Sequence, residues 1–284
     1  MNLKHSELEA LDLSNRLIKL DYPYNPKRRP FDPKNSKVFT MIEKQRSNYA
    51  ALLTAFSKYD THFQKIPTRH LAQEQNSLAP QWNNGWFPCL DAITLYGLIA
   101  TTNPKRYVEV GSGNSTMFAR QAIKDHRLQT SITSVDPFPR AHIDSICDLV
   151  IRTPCEDVAT DVFSSLTAGD ILFIDNSHRS FPNSDVTVFF TEILPTLPKG
   201  VIYGLHDIFI PWDYPDEWKE RYYNEQYLLA SYLIGGAGGD EIILPNTYLS
   251  YYDPELLAPL AQVFKDARFN GAEKTGTAFW MKKG

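Results

Sequence analysis

The stretch "RYVEVGSGNSTMFARQAI", Arg106 to Ile123, decides how the rest of the chain is read. A short apolar run, Arg106 to Val110, breaks at Gly111-Ser112-Gly113 and resumes with a helical pattern from Asn114. Strand, glycine turn and helix in that order aim backbone N–H groups at whatever lies at the helix N-terminus. A dinucleotide fingerprint needs Gly-x-Gly-x-x-Gly, but Asn114, Ser115 and Thr116 follow Gly113 and the third glycine is missing. No Gly-Lys-Ser/Thr follows either, which excludes a Walker loop.

Four more apolar runs follow the same rhythm: "TSITSV" (130 to 135), "DLVIR" (148 to 152), "DILFID" (170 to 175) and "GVIYGLHD" (200 to 207). Runs apolar on both faces and separated by helices predict an α/β fold: a Rossmann-like, mostly parallel sheet with helices on both faces. Ligands of such sheets sit outside the carboxyl ends of the strands. Upstream, Val38, Ile42, Tyr49, Leu52, Leu53 and Phe56 recur at helical intervals and predict one long amphipathic helix from Asn35 to about Gln64. A linker rich in Asn, Pro and Trp, residues 65 to 88, precedes a helix over "CLDAITLYGLIATTN". The expected organisation is an N-terminal helical extension, 1–80, and a catalytic domain, 81–284. Past Asp207, "WKERYYNEQYLLASYLI" reads as helix, "EIILP" and "TYLSYY" as strands, and "GTAFWMKKG" as a final strand.

Composition narrows the function classes. The 284 residues are 43% hydrophobic and 22% charged with a net charge of -4, so nothing global draws the chain to nucleic acid. The compact basic cluster, Lys27, Arg28 and Arg29 between prolines, reads as a solvated arm. The opening residues lack an apolar signal core and no segment reaches membrane-spanning length, so no membrane partner and a cytoplasmic location are expected. Cys89, Cys147 and Cys155 lack disulfide or metal-finger spacing and are expected as buried thiols.

Glu109, two positions before Gly111, suits an amino or cationic group better than a pyrophosphate. Asp136, at the tip of the next strand, can accept ribose hydroxyls. A tight turn and a helix cap would account for either feature alone. Together they resemble class I S-adenosylmethionine-dependent methyltransferases: a strand ending "VEVGSG", a second ending in an acid, a fourth written "DILFIDNSH". The resemblance implies that Glu109, Gly111, Ser112, Gly113, Asn114 and Ser115 hold the methionine portion of S-adenosylmethionine and Asp136 its ribose. Pro154 stands where an adenine-binding acid is usual, leaving Cys155, Glu156 or Asp157 for that contact. Asp175 would complete the cofactor set.

Methyl transfer needs an in-line nucleophile and a way to remove its proton. Asp175 and His178 after the fourth run and His206 and Asp207 at the fifth are the catalytic candidates. Asp175 and Asp207 would hold a divalent cation, similar to some metal-dependent O-methyltransferases, or His178 or His206 would act as general base with an aspartate orienting it. The stiff "PWDYPDEW", Pro211 to Trp218, reads as a substrate wall and "QWNNGWF", Gln81 to Phe87, as its opposite side. The expected reaction is O-methylation of a small polar or glycosyl acceptor. The rivals are an NAD-linked oxidoreductase and a non-catalytic nucleotide-fold binding protein.

Overall fold

The computed structural model describes residues 32–71, 77–139 and 142–284, together with Lys4, Ser6, Ile18 and residues 21–27. Arg28 and Arg29 of the basic cluster, most of residues 1–20 and part of the linker lie outside the described residues.

The expected long N-terminal helix is instead three short ones: α1 (Lys37–Glu43), α2 (Arg46–Ser57) and α3 (Asp60–Phe63). Ser36 caps α1 by accepting from the Phe39 N–H at 3.0 Å. Ile42, Tyr49, Phe56 and Phe63 are all fully buried, and at the first break Tyr49 Oη donates to the Ile42 carbonyl at 2.9 Å. The helices bury into the same core as α4 (Cys89–Thr102), where Gly97 leaves room for the Phe56 ring: a Cβ there would stand 2.4 Å from Phe56 Cδ1.

The strands fall where the apolar runs predicted: β1 (Arg106–Val110), β2 (Ser131–Val135), β3 (Leu149–Ile151), β4 (Ile171–Ile174) and β5 (Ile202–Leu205). Between them run α5 (Asn114–His126), α6 (Asp161–Ser164) and α7 (Asp185–Val188), the last continuing through a π turn, Phe189–Ile193, into α8 (Leu194–Thr196). After β5 come α9 (Glu225–Ile234), β6 (Glu241–Pro245) and β7 (Phe279–Lys282). The "WKERYYNEQYLLASYLI" segment is thus two pieces, a 3-10 turn ending at Arg221 and α9. "TYLSYY" is not a strand: Tyr248–Tyr252 form a π turn in which the Tyr248 and Tyr252 rings stack at 5.2 Å, four residues apart.

The seven strands lie in the order β3-β2-β1-β4-β5-β7-β6, with β1 to β5 parallel and β7 antiparallel to both neighbours. Every residue of β4 and β5 is buried, as in a sheet covered on both faces. The strand order reverses between β1 and β4, the switch point at which such sheets open a crevice at their carboxyl ends.

Candidate functional site

Cross-strand hydrogen bonding runs one residue past the strands and sets the tips in register. Gly111 N donates to Val135 O, Asp175 N to Val110 O and His206 N to Ile174 O, at 2.8 to 3.0 Å. Gly111, Asp136, Asp175 and His206 therefore share one edge of the sheet, and all four line a cavity of about 950 Å³ over the switch point. Gly111 has φ +80, and a Cβ on it would lie 1.7 Å from the Asp175 carbonyl oxygen, so no side chain fits. Above Gly113 a Cβ would meet nothing within 4 Å, which leaves open space beside the helix start.

The β1–β2 side of the cavity is made by this turn. Asp136 accepts from Ser112 N and from Phe138 N, both at 2.8 Å, and a carboxylate so bonded retains lone pairs for further donors. Glu156 and Cys155 line the same side from the turn after β3. Glu109, expected at the ligand, lies beneath the loop and is fully buried. Tyr107 Oη donates to it at 2.7 Å, Thr116 Oγ1 also donates to it, and Gly113 N in turn donates to Thr116 Oγ1 at 3.0 Å. Burial pushes Glu109 up to about 7 against the hydrogen bonds from Ser115, Thr116 and Tyr107. Gly113, Asn114 and Ser115 open α5 and are not among the residues lining the cavity.

The β4–β5 side is a knot of ionisable groups. His178 Nε2 lies 3.4 Å from Asp175 Oδ1 and 3.5 Å from Asp207 Oδ2, and His206 Nδ1 lies 3.5 Å from Asp175 Oδ1 and from Asp207 Oδ1. Behind each imidazole stands a fully buried carboxylate: Glu225 Oε2 is 2.9 Å from His178 Nδ1, and Asp91 Oδ2 is 3.2 Å from His206 Nε2. His178 and Asp207 both have left-handed backbones, φ +59 and +55, a conformation that non-glycine residues hold only when their surroundings dictate it.

Charge follows from this packing. Burial alone would lower His178, but the hydrogen bonds of Asp175 and Glu225 and the charges of Glu225 and Asp207 outweigh it and hold the imidazole at about 10. Burial also opposes charge on His206, and Asp207, Asp175 and Asp91 raise it well above its ordinary value. Desolvation pushes Asp175 up, yet His206 and His178 bring it well below the usual carboxylate range. The surrounding carboxylates thus favour the charged form of both imidazoles. His178 Nε2 and His206 Nδ1 each stand within 3.5 Å of Asp175 and Asp207, so the two ring nitrogens share the space in which those carboxylates would hold a cation. Among the described residues no group of three or more His, Cys, Asp and Glu side chains is placed to hold a metal ion.

Asp91 and Glu225 escaped the sequence reading. The signal for Asp91 was an acid inside "CLDAITLYGLIA", a helix buried from Cys89 to Ile99, where an unpartnered charge is costly. It also accepts from Thr277 N, Ala278 N and Asn246 Nδ2 at 2.7 to 3.0 Å. Glu225 opens α9 and carried no comparable signal. Of the proposed walls, Trp218 and Trp86 line the cavity, whereas Trp82 is core, packed on Phe269. Cys89 and Cys155 are buried free thiols and Cys147 is half-buried. No helix among the described residues is long and apolar enough to cross a membrane.

A comparison with curated proteins found no match to the sequence. Among solved structures, the chain is similar to the SAH-bound methyltransferase PaMTH1 of Podospora anserina, with 14% identity, 91% of this chain and 99% of that one covered, and a TM-score of 0.41. It is similar to the O-methyltransferase TomG of Streptomyces achromogenes at 13% identity, covering 78% and 90% of the two chains, TM-score 0.39. For an O-methyltransferase of Bacillus cereus the figures are 12% identity, 81% and 89%, and 0.37. Residues 108–208 match the family model described as a methyltransferase domain, a span that runs from within β1 to just past β5 and takes in Gly111, Asp136, Asp175, His178, His206 and Asp207. Over that span, about a third of its length, the chain is similar to the methyltransferase-domain family.

Proposed function

We propose that this chain moves the methyl group of S-adenosylmethionine to an oxygen of a small polar or glycosyl acceptor bound over β4 and β5. The observation that carries the choice of oxygen is the knot of the buried His178 and His206 with the partly exposed Asp175 and Asp207, backed by Asp91 and Glu225. When bound, the cofactor supplies the electrophilic methyl group. Gly111, Ser112, Asp136 and Glu156 would hold it, on a turn where open space beside Gly113 leaves room for a close approach.

The protein's own contribution is to position the acceptor hydroxyl and take its proton. Asp207 accepts from Thr277 Oγ1 at 3.3 Å and keeps further lone pairs for a hydroxyl. His206 Nδ1 is buried and makes no hydrogen bond, although it stands 3.5 Å from both aspartates. The acceptor's proton passes to an imidazole of this cluster in its neutral form. Asp91 and Glu225 orient the two rings, as a carboxylate behind a histidine does in a proton-transfer site.

The reading is tested by calorimetry with S-adenosylhomocysteine and NAD, then by turnover over a panel of hydroxylated acceptors. Binding of S-adenosylhomocysteine with methylation of an oxygen is the expected result. NAD binding without S-adenosylhomocysteine binding would overturn it. Full activity after exhaustive chelation is expected of a cation-free knot.

A further inference from the structure

The mouth of the cavity carries positive charge that no carboxylate among the described residues pairs with. Arg46, Arg106, Arg120, Arg152 and Arg268 each grip an aspartate. Arg179 and Arg221 both line the cavity, yet among the described residues neither ion-pairs with a carboxylate, even though Glu217 lines the same mouth. They are held by other means. Arg221 Cζ stacks 4.0 Å over the Trp218 ring, and Arg179 Cζ lies 4.9 Å over the Tyr223 ring. Arg179 Nε donates to the Arg221 carbonyl at 2.7 Å and its Nη1 to the Ser177 carbonyl at 3.3 Å.

Stacking covers the face of a guanidinium and leaves its edge donors free, which is the geometry that takes a carboxylate or phosphate in a two-pronged grip. No protein hydrogen bond uses the Arg221 guanidinium among the described residues. Tyr223 links this mouth to the floor, since its ring lies 4.8 Å from the His178 ring on one side and under Arg179 on the other. The cavity is thus polarised, with guanidinium groups outside and the carboxylates of Asp175 and Asp207 inside. An anion at the floor would be repelled by those acids and at the mouth attracted.

We propose that Arg179 and Arg221 form an oxyanion subsite that receives a carboxylate or phosphate of the methyl acceptor and so turns the acceptor's hydroxyl toward Asp207. The acceptor is then a small hydroxylated acid or phosphate ester rather than a neutral molecule. This subsite rests on the methyl-transfer reading for the identity of its ligand, while its anion binding stands on the arginines alone.

The test is titration calorimetry on the full chain saturated with S-adenosylhomocysteine, using benzoate, phenyl phosphate and the neutral benzamide as probes. At least one anion should bind at least tenfold tighter than benzamide, and which one binds distinguishes a carboxylate from a phosphate. Arg221→Gln, at an exposed position, should weaken that anion at least tenfold and leave S-adenosylhomocysteine affinity within twofold. Arg221→Lys, which keeps the charge and loses the fork, should fall between. Equal binding of benzamide and both anions, or no change in Arg221→Gln, overturns the proposal. A tenfold loss of S-adenosylhomocysteine affinity in Arg221→Gln also overturns it, by assigning the arginine to the cofactor. The titrations are repeated without S-adenosylhomocysteine. Anion binding in a chain that fails to bind S-adenosylhomocysteine breaks the methyl-transfer reading, whereas S-adenosylhomocysteine binding with no anion binding breaks this one.

Discussion

Beside the β1–β2 side of the cavity the glycine turn is braced from nearby in the chain, whereas the histidines of the β4–β5 side are supported from far away. Gly113 is held by Thr116, and Thr116 by Glu109, all within one turn and its strand. His206 leans on Asp91, 115 residues earlier, and His178 on Glu225, 47 residues later. A glycine turn recurs wherever a cofactor of one shape must be held, because its backbone donors need only local geometry. A proton-handling knot needs buried charges whose partners come from several elements, since no single turn can desolvate and neutralise them.

The largest effect that would separate the two sides is in turnover. Asp207→Asn should lower turnover by about 10²–10⁴-fold while S-adenosylhomocysteine affinity stays nearly unchanged. An equal loss in both would merge the two sides into one. Asp91→Asn should come next, destabilising the fold by about 3–5 kcal/mol through the broken buried pair, read as a lower urea midpoint. An unchanged midpoint would mean that the remote support is dispensable.

The two glycines give a finer comparison. Gly111→Ala should cost on the order of 2–4 kcal/mol of stability from its clash with the Asp175 carbonyl and its left-handed φ. Gly113→Ala should stay within about 0.5 kcal/mol and weaken S-adenosylhomocysteine by roughly fivefold, about 1 kcal/mol. If both lose stability alike, the open space beside Gly113 has been misassigned.

The smallest effect is in pH. His178 is held at about 10, above its ordinary 6.5, so the stability its charge contributes is complete below pH 6.5 and is lost as pH rises toward 10. The melting temperature should fall across that window in the wild type and fall less in His178→Gln. Turnover should rise over the same window as the knot gives up its first imidazolium proton. Parallel melting curves for the two proteins would show that His178 is not charged by its neighbours.

Much of the fold was legible because it is written in local pattern. Each of the five runs from Arg106 to Asp207 became a parallel strand, and the tail became β7. The misreadings share a cause. Residues 35–64 have helical spacing throughout, yet the chain breaks after Glu43 and after Ser57 while Ile42, Tyr49, Phe56 and Phe63 all stay fully buried in one core. "TYLSYY" reads as a strand, yet Tyr248 and Tyr252 stack at the spacing of a helical turn. In both cases tertiary packing outranked the local preference. Glu109 illustrates the same limit within the site: its place in a strand before a glycine was plain, but not that Tyr107, Ser115 and Thr116 would enclose it.

By itself the sequence determined the strand order's raw material, the glycine turn and the acids and histidines at the strand tips, since hydrophobic period and glycine conformational freedom act over a few residues. Only the tertiary structure decided that Asp91 and Glu225 stand behind the two histidines, that the carboxylates around those histidines favour their charged form, and that two arginines at the cavity mouth have no carboxylate partner among the described residues. Those features depend on which distant groups share a low-dielectric space, and spacing along the chain carries no record of that.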